Sequence, residues 1–177
     1  MRQSQNQMFD KNERFVLRHT ADLLIRHLDR YPALDEEILE LICWNLGDSR
    51  ENLSKCLLEQ FEEDDREDIE EELSESVFDY REYGDRLWHI VSRMLSGFHR
   101  KMIRETQRLL TLKIDELRYR GKSNLEKNLD AIGEMFALTE QERRFCTFLF
   151  IVSTYDPVEA YFVNHLECQK FSGRKYF

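Results

Sequence analysis

The stretch SNLEKNLDAIGEMFALTEQERRFCTFLFIVSTYDPVE, residues 123–159, carries three helix-start signals in succession. Ser123-x-x-Glu126 and Thr139-x-x-Glu142 both match the capping box, in which a hydroxyl accepts from a free helix N–H and the glutamate reaches back to the cap's own N–H. Asp156-Pro157-Val158-Glu159 resembles it, with proline at the first helical position, where its missing N–H costs nothing. The spacing predicts helices over about 124–136, 140–153 and 157–168. In the middle one, FCTFLFIV at 145–152 is apolar on every side. Such a helix has no polar face to turn to water, so it is expected at the buried centre of its unit. Leu125, Leu129, Ile132 and Phe136 are expected to face it from one side, and Val158, Tyr161, Phe162 and Leu166 from the other. Phe148→Ala would then cost about 3–5 kcal/mol.

Upstream the same periodicity continues with weaker punctuation. Phe15, His19, Leu23, Leu24, His27 and Leu28 recur at spacings of three and four, predicting a helix over about 10–29 that Tyr31-Pro32 stops. A second helix is expected over about 35–46, capped by Asp35 and ended by Gly47. Ser49 is a candidate cap for a third, holding Leu53, Leu57, Leu58 and Phe61. Residues 59–75, EQFEEDDREDIEEELSE, follow with only Ile69 and Leu73 as apolar anchors, as a solvated helix or a linker. From Glu75 to Arg120 one stripe runs through Tyr80, Gly84, Leu87, Val91, Leu95 and Met102, and a second through Leu109, Leu110 and Leu117. Either one helix bends near Gly97 or two helices meet there, and Gly121 ends the run.

These readings give an all-α, bundle-like fold: a helical region over 1–121 joined to a compact three-helix unit over 122–177. Composition agrees. The 177 residues include only 6 Gly and 2 Pro, too few for the turns of an all-β fold, while 12 Phe, 7 Tyr and 2 Trp suffice for a packed core. No apolar run approaches the roughly 18–20 residues of a membrane span. The polar start, MRQSQNQMFDKNERF, lacks the apolar stretch of a secretory signal. Cys43, Cys56, Cys146 and Cys168 contain no Cys-x-x-Cys pair and read as reduced core thiols, so the expected compartment is the cytoplasm.

Charge is unevenly spread within a net −9. The block at 59–75 holds 11 acids and one base, Arg66. The stretch 100–122 holds eight bases and three acids. Two such segments can neutralise each other or bind separate outside partners. The candidate partner-binding residues are therefore Arg100, Lys101, Arg104, Arg108 and Lys113 on the basic side and Glu62, Glu63, Asp64 and Asp65 on the acidic side. Reversing Arg104, Arg108 and Lys113 to glutamate is expected to abolish partner binding without unfolding the chain.

Catalytic signatures are missing. The six glycines stand too far apart to cradle a phosphate, and neither Glu-x-x-His, His-Glu-x-x-His nor Gly-x-Ser-x-Gly occurs. His165 and Cys168, one helical turn apart with Cys146 in reach, make a conceivable zinc site, but without a paired Cys-x-x-Cys the preferred reading is a helix edge with a core thiol. The pair LDAIGEMFALTEQERRFCTFLF looks superficially like a helix-turn-helix. Its second helix opens on Glu140 and Glu142, which phosphates repel, and continues as an apolar run that offers nothing to base edges. No catalytic, cofactor-binding or metal residue is assigned.

The run from Lys122 to Phe177 is similar to the helical region that precedes the ATPase module in a group of bacterial AAA-family ATPases. The order of parts carries the likeness: a helix anchored by Asn124-Leu125, then Leu138-Thr-Glu-Gln-Glu142, then an apolar helix, then Phe171-Ser-Gly-Arg-Lys-Tyr176. It covers 56 of the 177 residues. The family's nucleotide-binding loop, acidic strand and arginine finger find no counterpart here. What the resemblance implies is a non-catalytic N-terminal domain of a longer ATPase, recruiting a protein partner or aiding ring assembly, in a natural chain that continues past Phe177. The alternative is a free-standing helical regulator that binds nucleic acid through 100–122.

Overall fold

Five of the described helices begin where the sequence supplies a side-chain cap. The computed structural model describes residues 9–75 and 79–171, without the side chains of Asp64, Glu75, Ser96 and residues 164–171. Asp10 opens α1 (Lys11–Arg30): its carboxylate accepts from Asn12 N and Glu13 N at 2.7 and 2.9 Å, and Glu13 accepts from Asp10 N in return. Asp35 caps α2 (Glu36–Leu46) through Ile38 N at 2.8 Å, and Gly47 ends it at a φ of 56°. The expected Ser49 cap is not made. A 3-10 turn, Gly47–Arg50, runs straight into α3 (Glu51–Leu58) with Arg50 already in the right-handed helical region, so no freed N–H awaits a hydroxyl there.

The acidic block forms α4 (Glu63–Glu75), and Leu73 on its inner edge is buried. Two helices meet near Gly97. These are α5 (Tyr80–Val91) and α6 (Ser96–Glu116), parted where Leu95 turns extended. Then come α7 (Asn124–Met135), α8 (Glu140–Thr154) and α9 (Asp156–Phe171), with both predicted capping boxes in place. Among the described residues there is no strand, so the fold is all-α. None of the described helices is long and apolar enough to cross a membrane.

The centre of the core is α2. Ile38, Leu39, Leu41, Ile42, Cys43 and Leu46 are all buried, covering nearly the whole circumference of three turns. Such a helix must be wrapped on every side. Here α5 lies along one flank, α9 along another, and α1 and α6, themselves paired, complete the wall. Gly84 sets the α2–α5 distance: a Cβ built there would stand 2.7 Å from Glu40 Cα and 2.9 Å from Glu40 N. Both obstacles are backbone and cannot swing aside. Gly84→Ala is therefore expected to destabilise by about 1–3 kcal/mol, read as a lower denaturant midpoint at unchanged slope.

The expectation that α8 is the buried centre of the last unit is corrected. On α8 only Thr147 and Ile151 are buried, Phe148 is half-buried, and Phe145 and Leu149 are exposed. Its neighbours take the contacts to the rest of the chain, α7 against α1 and α9 against α2. Leu125 N donates to Asn12 Oδ1 at 3.0 Å, and Lys11 Nζ donates to Arg120 O at 3.1 Å, while Val158 and Tyr161 of α9 are buried. Held between these two, α8 stands off α1 and leaves a cleft beneath it. Ile132 and Phe136, expected to face α8, are exposed as well. Leu125 and Leu129 are half-buried as an inner face requires, and the side chain of Leu166 lies outside the described residues.

Candidate functional site

The sequence singled out two charged surfaces, and they do not form one site. Acidic α4 packs on α3 and α5, not along α6. The block meets the basic stretch at its first residue, where Glu59 pairs with Lys101 at 3.2 Å. Glu62, Glu63 and Asp65 are exposed, and the side chain of Asp64 lies outside the described residues. On α6, Arg100 and Arg104 are exposed, but Arg108 is held by Glu105 at 2.6 Å. Beyond the helix, Arg118 pairs with Asp115 at 2.8 Å, and Lys122 with Asp130. Lys113 is not on that surface at all. It is 6% exposed, with its ammonium 5.5 Å from the Phe9 ring centroid and 3.5 Å from Glu116. A charge reversal at Lys113 would reach the core, so it cannot serve as a surface probe.

Four large apolar side chains on the hairpin of α7 and α8 are unexpectedly exposed. Met135 is 76% exposed, Phe136 67%, Phe145 59% and Leu149 47%. Their placement follows from local structure. Phe145 and Leu149 are one turn apart on α8, on the side away from the buried Thr147 and Ile151. Met135 and Phe136 stand at the end of α7, where the chain reverses. Leu138 N donates to Gly133 O at 2.8 Å and Ala137 N to Glu134 O at 3.2 Å, the two bonds of a Schellman motif. Its left-handed position is filled by Ala137 at a φ of 51°, where glycine is the usual residue. An alanine there costs roughly 1 kcal/mol of strain. Ala137→Gly is expected to stabilise the domain by a few tenths to about 1 kcal/mol in a denaturant titration.

Beneath α8, between it and α1 and α7, lies the cleft of about 520 Å³. Phe15, Leu23, Leu129, Phe148 and Ile151 supply its apolar wall. The rim is charged and mostly self-satisfied: Arg26 pairs with Asp22 at 2.9 Å and Arg144 with Glu140 at 3.0 Å, and Lys122–Asp130 closes one end. Glu126 is engaged too. Burial raises its pKa, but hydrogen bonds from Tyr119 Oη and from Ser123 outweigh this and hold it below the ordinary glutamate value. The Tyr119 hydroxyl is correspondingly pushed up to about 12, by burial first and by this carboxylate second.

Arg143 differs. Its Nε donates to Leu138 O at 3.2 Å, and among the described residues no carboxylate lies within ion-pair distance of it. Gly133 makes room for it: a Cβ on Gly133 would stand 2.7 Å from Arg143 Nε and 2.8 Å from its Cζ. The sequence held a signal for this pair, a glycine inside a capped helix and two adjacent arginines opening an apolar one.

Of the remaining candidates, the His165 and Cys168 side chains lie outside the described residues. Among the described residues, no group of three or more metal-ligating side chains is assembled. Cys43, Cys56 and Cys146 are free thiols, and burial pushes Cys43 up to about 12, which makes it inert. Set against protein-family models, curated proteins and solved structures, this chain matches nothing.

Proposed function

We propose that this chain is a non-catalytic interaction module that engages a protein partner through the outward apolar face of the α7–α8 hairpin. The observation that carries the reading is the exposure of Met135, Phe136, Phe145 and Leu149 together on one supersecondary unit. Isolated exposed apolar side chains are ordinary, but four on one helical hairpin have the composition of an interface core. The strained Ala137 at the turn supports the same reading, since strain persists where the surroundings hold it for a purpose. The non-catalytic half rests on the cleft, whose glutamates and aspartates are committed to caps and ion pairs.

The module belongs, in this proposal, to an AAA-family ATPase, on the likeness of residues 122–177 to the region ahead of its motor, and works in the cytoplasm. The free thiols suit a reducing compartment. Reading the gene past the codon for Phe177 tests the parent: a P-loop followed by an acidic strand is the expected result, and a reading frame without them removes it.

The charged surfaces then play no main part. For a partner captured on the immobilised chain, Arg100, Arg104 and Arg108 changed together to glutamate should leave affinity within about threefold. A loss of a hundredfold would move the interface to α6. Nucleic acid through 100–122 has the weaker support, because Lys101, Arg108, Arg118 and Lys122 are each paired with a carboxylate and Lys113 is buried. Retardation of single or double strands at low salt, falling steeply as salt rises, would revive it.

A further inference from the structure

We propose that the cleft between α1, α7 and α8 binds a carboxylate carried on an apolar or aromatic body, with Arg143 as the anchor of the carboxylate. This goes beyond the interaction proposed for Met135, Phe136, Phe145 and Leu149, none of which lines the cleft, and does not depend on it.

Three observations converge. The first is size. About 520 Å³ lies within the roughly 300–1,000 Å³ typical of small-ligand sites, and its wall of Phe15, Leu23, Leu129, Phe148 and Ile151 suits an apolar body. Second comes the charge left over after internal pairing. Arg26, Lys122 and Arg144 each have a carboxylate of their own, and Glu126 is spent on Ser123 and Tyr119. Among the described residues that line the cleft, Arg143 is the cation left without an ion-pair partner, so its guanidinium is open to an anionic ligand. The third is construction. Nε of Arg143 is fixed on the Leu138 carbonyl, and a helical glycine opposite, Gly133, leaves room for the guanidinium plane. A guanidinium held at Nε keeps its two terminal nitrogens for a planar acceptor, and a carboxylate fits them side by side. Glu126, whose carboxylate is held by the neutral Tyr119 and Ser123 at the same cleft, favours a singly charged ligand over a phosphate, whose extra charge it would repel.

The test titrates the full chain with 4-phenylbutyrate and with its neutral counterpart, 4-phenylbutanamide, following backbone amide resonances. The acid is expected to give saturable shifts confined to α1, α7 and α8, and the amide to bind at least tenfold more weakly. Arg143→Gln should weaken the acid by tenfold or more while leaving the amide unchanged. Gly133→Ala provides the second variant: its new methyl pushes on a flexible side chain, not on backbone, so the fold is retained and the guanidinium is displaced. It should lose the acid as Arg143→Gln does. N-acetyl-phenylalanine, run in parallel, separates sources. Tighter binding than phenylbutyrate points to a peptide chain end, and weaker binding to a free acid. Shifts from neither phenylbutyrate nor N-acetyl-phenylalanine, equal binding of acid and amide, or full affinity in both variants would each overturn the proposal.

Discussion

Leu39→Ala is expected to lower the unfolding free energy by about 3–4 kcal/mol, and Phe148→Ala by only about 1–2 kcal/mol. The ordering inverts what side-chain size alone would give. Leu39 lies on α2 with no exposed surface, among Ile38, Ile42 and Leu46, and α5 presses on the same helix closely enough that Gly84 has no room for a methyl. A cavity there cannot collapse, because the obstacle to approach is already backbone on backbone. Phe148 instead borders the cleft. Its ring packs edge-on against Phe162 at 4.9 Å between centroids and stacks on the exposed Phe145 at 6.4 Å, but it is only half-buried and lines the cleft, so truncation forfeits fewer contacts and leaves no sealed void. For a domain of this length the leucine variant should melt about 10 °C lower. A larger loss for Phe148→Ala than for Leu39→Ala would return the core to α8.

The second large effect concerns binding. Phe136→Asp combined with Phe145→Asp should reduce affinity for the protein partner by at least a hundredfold while changing stability by no more than about 0.5 kcal/mol. Both rings are mostly exposed, so their removal takes little from the core. Two carboxylates placed in a desolvated contact would meet no counter-charge and forbid its closure. The separation of the two readouts is the point. A variant that loses stability and binding together has simply unfolded, whereas one that keeps its denaturant midpoint and loses binding locates the interface.

Much of the architecture was legible because helix ends are written locally. Asp10, Asp35, Ser123 and Thr139 each cap through contacts within three residues, so the sequence window contains the whole cause. The Ser49 cap failed for a reason invisible at that range. The chain between α2 and α3 stays helical as a 3-10 turn, and a cap needs a break. The place of α8 was misread for a different reason. An apolar circumference says that a helix lacks a water-facing side, not which neighbours arrive to cover it. In this chain α7 and α9 reach α1 and α2 first, and α8 is left with one face over a cleft and one facing outward. The charged candidates suffered from the same locality. Counting bases over 100–122 sums residues from several sides of α6 and from the segment beyond it, but Lys113 points into the core and Arg108 is answered by Glu105 one turn earlier. The glycine and the arginine of the Gly133–Arg143 pairing were each visible in the sequence, but that they meet across the turn shows only once the hairpin is closed.

Whether the exposed apolar residues of the hairpin are the working surface can be read by placing a photoreactive phenylalanine analogue at four positions in turn. Positions 136 and 145 probe the hairpin, position 104 the basic helix and position 62 the acidic block, each within the full chain in its native cells. One discrete cross-linked protein is expected from 136 and 145 and none from 62 or 104. The same cross-linked protein from 62 or 104, with nothing from the hairpin positions, would contradict that reading.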